Sequence, residues 1–175
     1  MLILRDMIEA DIDDYVRWFT DETQWLLLDA PGETFETTEE EERQAWTEYY
    51  DSVKDLPDHV LRWKYEIQFK GVHIGWISSY SDLGYLENTE NILAIGLDIP
   101  AVHHRKNGCG TKALQMYMDY LKEHGHRSFF VQTWSGNAAM LSVARKLGFR
   151  EIYRNENAVE VDGKQYDAIT FRIDY

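Results

Sequence analysis

The heptapeptide RKNGCGT occupies residues 105–111, between an apolar segment at residues 92–99 and an amphipathic segment that begins near Lys112. This order predicts a strand, a glycine-containing loop and a helix. Such a loop presents backbone N–H groups at a helix N-terminus, where the helix macrodipole favours phosphate oxygens. The residues alone leave two interpretations open: a phosphate-binding loop, or a tight turn that Gly108 and Gly110 permit.

Two other phosphate-binding motifs fit the chain less well. A Walker loop has the pattern G-x-x-x-x-G-K-[ST], and no glycine precedes this loop at the required spacing. The segment from Gly108 to Ala113 satisfies the relaxed dinucleotide fingerprint G-x-G-x-x-A. However, two predicted helices and several strands precede the loop, where that fingerprint requires an N-terminal βαβ unit. A Rossmann site is therefore the weaker interpretation.

Composition limits the class of protein. A chain of 175 residues with 44% hydrophobic content can bury a core as one domain spanning residues 1–175. Its one cysteine excludes an intramolecular disulfide, and no N-terminal run has the order of a signal peptide, so we expect a cytoplasmic protein. No apolar run approaches the roughly 20 residues that span a bilayer, so we expect no membrane association.

Charge limits the partners. The formal net charge of −13 opposes binding to nucleic acid and favours the attraction of cations, although an acidic surface also serves solubility. The adjacent His103 and His104 have no carboxylate or thiolate at ligand spacing, so we expect no metal site. The sequence leaves open whether the chain forms a homodimer.

Hydrophobic periodicity predicts a mixed pattern of strands and helices. The apolar alternation and the turn residues place the strands at residues 2–5, 63–69, 72–80, 91–99, 128–133 and 149–154, followed by a hairpin of 157–161 and 166–173 around Asp162-Gly163. Helical spacing places helices at residues 9–19, from Thr37 or Thr38 to 53, at 111–123 and at 137–146, with a turn at 29–32.

A second motif lies downstream of the glycine loop. Asn137 is followed at a fixed distance by Lys146-Leu147-Gly148-Phe149. The R-x-x-G-x-G loop and this segment, in this order, resemble the GNAT superfamily of acetyl-CoA-dependent N-acetyltransferases. The resemblance extends weakly over almost the whole chain, because Leu4-Arg5, an acidic helix and Trp18 look like the opening of the ribosomal-protein N-terminal acetyltransferase branch.

The resemblance implies a fold of the α/β (α+β) class. In that fold a mixed, mostly antiparallel sheet of about seven strands carries helices on both faces. The sheet is splayed between the strands at 92–99 and 128–133, and the pantetheine arm of the donor substrate enters there. The resemblance assigns acetyl-CoA binding to Ile99, Arg105, Lys106, Asn107, Gly108, Cys109, Gly110, Thr111 and Asn137. Asn137 also suits the N-cap of its own helix, and both roles are compatible.

The implied reaction is direct attack of a neutral amine on the thioester carbonyl. An alkylammonium with a pKa near 10 needs a base, and the resemblance to some aminoglycoside acetyltransferases gives this role to Asp98, which could instead only cap its strand. The general acid is unidentified, since Ala144 and Met140 stand where the family often has tyrosine or serine; Ser142 and Tyr153 are alternatives. Cys109 is interpreted as a loop residue.

The acceptor region is expected in the first third of the chain, where the family's first helices wall the acceptor site. Trp25, Asp29 and Glu33, with Glu36, could form an aromatic and acidic pocket, although the aromatic residues from Trp18 to Tyr50 also suit a core. The resulting hypothesis is acetylation of a primary amine on a cationic small molecule. Alternatives are acetylation of a protein N-terminus and a catalytically silent acyl-CoA-binding module.

Overall fold

The computed structural model describes residues 1–32, 35–83 and 92–175. The strands are β1 (Leu2–Arg5), β2 (Lys64–Phe69), β3 (Val72–Tyr80), β4 (Ala94–Asp98), β5 (Ser128–Trp134), β6 (Arg150–Val161) and β7 (Lys164–Asp174). The helices are α1 (Asp11–Thr20), α2 (Leu26–Asp29), α3 (Glu39–Val53), α4 (Cys109–Glu123) and α5 (Ala138–Lys146). Short 3₁₀ turns cover Thr23–Trp25 and Val102–His104.

The strands form one mixed sheet in the order β1-β2-β3-β4-β5-β7-β6. Neighbouring strands are antiparallel except β4 and β5, which run parallel because α4 crosses over between them. The predicted sheet of about seven mostly antiparallel strands is therefore confirmed. Among the described helices, none is both long and apolar enough to cross a membrane.

Helix starts follow from local side-chain chemistry. The Thr38 hydroxyl accepts the N–H of Glu41, whose carboxylate accepts the Thr38 N–H in return, so α3 begins with a capping box. The Asn137 side chain accepts the N–H of Met140 at 3.0 Å and starts α5. Helix α4 begins two residues earlier than Thr111, the predicted start, because Gly108 already acts as its N-cap.

Two segments differ from the sequence prediction. Strand β6 is continuous, whereas the sequence predicts separate strands at 149–154 and 157–161; Asn157, with a φ of +54°, instead sits in a bulge and donates its N–H to Asp167 Oδ1 at 3.1 Å. Helix α2 was not predicted, because four residues are too few to show a helical period.

Helices cover both faces of the sheet, as predicted. One face packs against α4 and α5 through a core that includes Ile77, Leu114 and Phe129. The other face packs against α1 through an aromatic core around Tyr15 and Trp18. The face of the sheet that carries α4 and α5 and the face that carries α1 therefore have separate cores.

Helix α3 lies outside the aromatic core, and none of its described residues is buried. Trp46 of α3 stacks on Tyr15 of α1 with ring centroids 3.7 Å apart. The Lys64 ammonium lies 4.4 Å from both of these ring centroids and 4.6 Å from that of Tyr49. A cation over several aromatic faces is stabilised more strongly when desolvated. These contacts attach α3 to the rest of the molecule.

Beneath α1, buried charges fasten the helix to the sheet. The Arg5 guanidinium of β1 binds both carboxylate oxygens of Asp11 at 2.6 and 2.7 Å. Nδ1 of His73 lies 3.0 Å from Asp14, and Nε2 lies 3.0 Å from the buried carboxylate of Glu66. This network ties four elements, β1, α1, β2 and β3, together at the edge of the aromatic core.

The charge network fixes the protonation of His73. Burial alone would lower the pKa of His73, but hydrogen bonds to Asp14 and Glu66, with the charges of Glu66 and Asp11, outweigh it and raise the pKa to about 9. Because the pKa is above its unfolded value of 6.5, the protonated imidazole stabilises the fold fully below about pH 6.5. That stabilisation is lost as the pH rises through 9.

We expect the free energy of unfolding to fall between pH 6.5 and 9.5 by up to about 3 kcal/mol more in the wild type than in His73→Gln, since the variant has no imidazole to titrate. Urea unfolding followed by circular dichroism at several pH values measures this difference. His59→Gln, at an exposed position, serves as the control. Parallel pH dependences for the wild type and His73→Gln would show that the imidazole is not held charged.

Candidate active site

The central feature of the sheet is the divergence of β4 and β5. Within residues 92–175, their ladder is confined to the pair Ala94 and Phe130, with the Phe130 N–H donating to the Leu93 carbonyl at 2.9 Å. Beyond this point the strands separate toward Asp98 and Trp134. The predicted splay is confirmed, and it opens a cavity of about 720 Å³ between β4, β5, α2, α4 and α5.

The cavity brings together most residues that the sequence singled out. Those on its wall are Trp25, Asp29, Asp98, Ile99, Arg105, Lys106, Gly108, Cys109, Gly110, Thr111 and Asn137. Asn107 is not on this wall; its exposed side chain donates to the His104 carbonyl at 3.4 Å. Glu33 lies outside the described residues, and Glu36 borders a separate shallow groove beside Thr38.

One end of the cavity is the N-terminus of α4. Gly108 has a φ of +75° and a ψ of 5°, a left-handed conformation that L side chains rarely adopt. The first intrahelical bond runs from Lys112 N–H to the Gly108 carbonyl, so the amides of Cys109, Gly110 and Thr111 precede it. A Cβ at Gly108 would meet nothing within 4 Å among the described atoms, so the loop is open on that side.

Arg105 links this loop to the end of β4. Its Nε donates to the Ile99 carbonyl at 2.7 Å, and its side chain lines the cavity. Burial lowers the pKa of Arg105, and the nearby Asp98 charge opposes this effect. A guanidinium stays protonated at neutral pH under such conditions, so the cavity keeps a fixed positive charge here.

Asp98 stands where β4 ends and the cavity begins. Burial raises the pKa of its carboxyl, the charge of Asp29 raises it further and Arg105 opposes, which gives a value of about 8. No sequence pattern indicates this value, because the burial of Asp98 and the effect of Asp29 on it both arise from the fold. A carboxyl of this proton affinity can exchange a proton near neutral pH.

Helix α2 and the preceding 3₁₀ turn also line the cavity, through Trp25, Leu28 and Asp29. The Leu28 carbonyl accepts hydrogen bonds from Trp134 Nε1 at 2.9 Å and Asn137 Nδ2 at 3.2 Å, so distant residues of β5 and α5 fix α2 in place. Trp25 is buried, and its Nε1 donates to the Trp18 carbonyl at 2.9 Å. Trp25 therefore belongs to both the aromatic core and the cavity wall.

Helix α5 carries the two positions at which the chain departs from the family pattern. Ala144 is fully buried in the core and is not among the residues that line the cavity. Met140 and Ser142 line the cavity, and Ser142 is the hydroxyl that α5 places there. Tyr153 is exposed on β6 and does not line the cavity, so it lies apart from the position predicted for a general acid.

The remaining sequence interpretations have direct structural outcomes. Asn137 does cap α5, as the alternative interpretation held, while it also lines the cavity. Cys109 is buried in the first turn of α4, and burial raises the pKa of its thiol. A thiol without a lowered pKa is a poor nucleophile, although Cys109 is the first residue of α4 and not a residue of the loop as predicted.

Sequence reasoning missed several cavity residues. Tyr80 at the end of β3 donates its hydroxyl to Gln132 Oε1 of β5 at 3.3 Å. Its side chain therefore reaches across β4, which lies between these two strands in the sheet. Thr133 and Lys146 also line the cavity. A polar residue within an otherwise apolar strand is the sequence feature that could have identified Gln132 and Thr133. The sequence interpretation includes Lys146 only as part of the Lys146–Phe149 motif.

Gly75 on β3 sets the position of the end of β4. It has a φ of +156°, and a Cβ there would overlap the carbonyl oxygen of Asp98. The adjacent Trp76 pairs with Asp98 in the β3–β4 ladder. The absence of a side chain at Gly75 therefore allows β3 and β4 to approach each other closely at Asp98.

A family model describes the same architecture. The model of the acetyltransferase (GNAT) domain matches residues 1–150 of the chain. A search of the curated proteins finds no sequence that matches this chain.

Solved structures with the same fold cover nearly the whole chain. The yncA protein of Salmonella typhimurium, solved with acetyl-CoA, has a TM-score of 0.72 at 17% identity and covers 99% of this chain and 94% of its own. RimJ of Mycobacterium smegmatis, in complex with CoA-disulfide, has a TM-score of 0.73 at 19% identity, with 99% and 81% covered. RimL, a ribosomal L7/L12 alpha-N-protein acetyltransferase in complex with coenzyme A, has a TM-score of 0.73 at 20% identity, with 99% and 93% covered. At these identities the likeness establishes the fold.

We expect Gly75→Ala to destabilise the protein by several kcal/mol, because the new methyl group must displace the backbone at Asp98. Gly71→Ala is the matched control, since Gly71 has a φ of +85° with open space around it and carries only the backbone penalty of about 1–2 kcal/mol. Urea unfolding measures both. Equal losses would contradict the close approach of β3 and β4.

Proposed function

Since the chain belongs to the GNAT acetyltransferase family, we propose that it transfers the acetyl group of acetyl-CoA to a primary amine of a cationic small molecule. One observation carries the proposal: a single cavity is lined both by the first residues of α4, with their free backbone amides, and by the carboxylates of Asp29 and Asp98. The N-terminus of α4, the donor end, suits an anionic donor substrate, and the carboxylates suit a cationic acceptor.

The donor end offers charge and backbone groups together. The amides of Cys109, Gly110 and Thr111 and the charges of Arg105 and Lys106 would hold the pyrophosphate. Where β4 leaves β5, its backbone can pair with the amide groups of the pantetheine arm as an added strand would. Bound acetyl-CoA supplies an activated thioester, and the N–H of Ile99, the residue after β4, would polarise its carbonyl.

Asp98 is suited to the role of base because of its environment. An ordinary aspartate has a pKa near 3.8, whereas here the pKa is about 8. The cost of taking a proton from an alkylammonium with a pKa of about 10 falls from about 8 kcal/mol to about 3 kcal/mol. The remaining cost is within reach of a reaction that proceeds many times per second.

The proton balance of the reaction assigns two transfers. The Asp98 carboxylate takes one proton from the ammonium, and the freed lone pair of nitrogen attacks the thioester carbonyl carbon. The C–S bond then breaks, and the second nitrogen proton reaches the sulfur through water or the Ser142 hydroxyl, which lines the cavity on α5. The products are an amide and the CoA thiol, and Asp98 returns its proton to solvent.

A protein N-terminus is the second candidate acceptor, favoured by the structural likeness to RimL, an alpha-N-protein acetyltransferase. An α-amino group has a pKa of about 8 and is partly neutral without a strong base, so the raised pKa of Asp98 is better matched to an alkylamine. A CoA-thiol release assay over polyamines, aminoglycosides, amino acids and N-terminal peptides separates the two. Turnover confined to peptides would overturn the small-molecule proposal, and CoA binding with no thiol release from any amine would overturn catalysis.

We expect Gly108→Val to abolish CoA binding, because its side chain enters the open side of the amide cradle. Isothermal titration with CoA measures the loss. Gly125→Val is the matched control, since Gly125 lies just beyond the other end of α4 with a φ of +94° and open space around it. Both variants carry a similar backbone penalty, and only the control should bind CoA. Loss of binding in both would indicate a damaged helix and not a blocked cradle.

For catalysis, we expect kcat/KM of the wild type to rise with pH through about 8, because the base must be deprotonated. Asp98→Asn should lower kcat at least about 100-fold and remove this inflection. CoA titration of the variant provides the control for folding. An Asp98→Asn enzyme that kept its turnover and its pH profile would exclude Asp98 as the base.

A further inference from the structure

Gly96 lies in the middle of β4, at a position where the fold does not require a glycine. Its φ is not positive, and a Cβ there would meet only Ser78 Oγ and Tyr80 Cε1 among the described atoms, both at an ordinary contact distance of 3.8 Å. Gly75 on β3 differs, because a Cβ there would overlap backbone. A glycine inside a strand weakens it, and such a glycine often marks the close approach of a ligand. Because Gly96 lines the cavity, the space above it is open to a ligand.

Strand pairing places Gly96 and Asp98 on the same face of the sheet. Residues directly opposite each other in an antiparallel ladder share a face, and faces alternate along a strand. Trp76 pairs with Asp98, and Ser78 pairs with Gly96. Trp76 belongs to the aromatic core on the α1 side, whereas Ile95 of β4 belongs to the core under α4 and α5. Gly96 and Asp98 therefore face the α1 side.

The ring of Tyr80 bounds the space above Gly96. Its hydroxyl is anchored on the far side of β4, because it donates to Gln132 Oε1 of β5 at 3.3 Å. Gln132 is itself fixed, since its Nε2 donates to the Leu83 carbonyl and to the Thr170 hydroxyl, each at 3.3 Å. A carbon atom at the Cβ position of Gly96 would already be in van der Waals contact with Tyr80 Cε1. The space between the Gly96 backbone and this ring edge therefore holds one layer of carbon atoms.

This space lies within reach of an amine that contacts Asp98. Successive residues on one face of a strand are about 6.5–7 Å apart, so Gly96 lies that far from Asp98 along β4. The donor end of the cavity, at the start of α4, follows the C-terminal end of β4 in the chain. An acceptor with its nitrogen at the Asp98 carboxylate therefore extends in the opposite direction, and its first carbon atoms lie over Gly96.

We infer that Gly96 and Tyr80 restrict the acceptor to primary amines whose nitrogen is bonded to a methylene carbon. The bare backbone at Gly96 admits this methylene, and the Tyr80 ring excludes a second carbon substituent on it. The inference rests on the proposed function and narrows its acceptor class. Gly96 and Tyr80 are assigned a specificity-determining role, and neither takes part in proton transfer.

The restriction discriminates between the two candidate acceptors. The nitrogen of a protein N-terminus is bonded to an α-carbon, which carries both a side chain and a carbonyl carbon in every residue except glycine. That carbon is therefore branched. The terminal nitrogens of an unbranched polyamine are bonded to methylene carbons. The shape of the site thus favours the small-molecule acceptor for a reason that does not depend on charge.

The test compares butylamine with its isomer 2-aminobutane, in which the carbon bonded to nitrogen is branched, as acceptors for the enzyme. We expect the wild type to favour butylamine at least about tenfold in kcat/KM, because one misplaced carbon in a close-fitting pocket changes this ratio by about 10–200-fold. Tyr80→Ala should lose most of this preference by accepting 2-aminobutane. Tyr80→Phe keeps the ring and should keep the preference. Equal losses in both variants would assign the effect to the hydroxyl and overturn the steric role of the ring.

Gly96→Ala tests the other side of the same space. Its methyl group occupies the position of the acceptor's methylene, so kcat/KM for butylamine should fall at least about tenfold through a higher KM. The midpoint of urea unfolding should not fall, because the methyl group makes only ordinary contacts. Ser78→Ala is the matched control, since Ser78 pairs with Gly96 but is not on the cavity wall, and it should behave as the wild type. CoA titration should give the same affinity for every variant.

A binding measurement distinguishes this inference from the proposed function. Saturation-transfer NMR on the complex with CoA detects the binding of each amine without turnover, and butylamine should bind more tightly than 2-aminobutane. If no amine releases the CoA thiol, acetyl transfer fails, whereas the NMR preference still tests the space above Gly96. If both isomers are acetylated equally well, or if neither binds the complex, the role of Gly96 and Tyr80 is wrong.

Discussion

Strands β4 and β5 pair at Ala94 and Phe130 and then separate, and this separation determines where the cavity and its chemical groups lie. Strands that stop pairing inside a sheet leave backbone N–H and C=O groups that need other partners. Because the two strands are parallel, the chain must cross over between them, and the crossover places the N-terminus of α4 beside the opening. The carboxylate of Asp98 at the end of β4 and the amides at the start of α4 therefore line one cavity.

The two faces of the sheet have cores of different composition. The face with α4 and α5 is a conventional apolar core, whereas the face with α1 is aromatic and contains buried charges. Glu66 is at the centre of that charge network, since it accepts the Tyr15 hydroxyl at 2.6 Å and contacts His73. A helix held by hydrogen bonds of fixed direction keeps its orientation better than one held by apolar contact alone, and α1 leads directly into the wall segment that contains Trp25 and Asp29.

Much of the fold could be predicted because its signals are local. The cap at Thr38, the cap at Asn137 and the Asp162-Gly163 turn each depend on a few adjacent residues, and the structure shows all three. The β4–α4 loop was predictable for the same reason. The proximity of Asp29 to Asp98 was not, because it depends on hydrogen bonds from Trp134 and Asn137 to the Leu28 carbonyl, which no local pattern contains. The burial of Ala144 in the core was not predictable either, because it depends on packing between distant elements.

The aromatic core gives the molecule an optical property. Trp18, Trp25 and Trp76 belong to it and Trp46 packs against it, so four of the six tryptophans in the chain lie there. Trp25 and Trp76 meet edge to face with centroids 5.1 Å apart, and Phe19 and Tyr15 fill the spaces beside them. The intrinsic fluorescence of the protein therefore originates mostly on the α1 side of the sheet. Emission spectra and their quenching will follow rearrangements around α1, α2 and α3 without any introduced label.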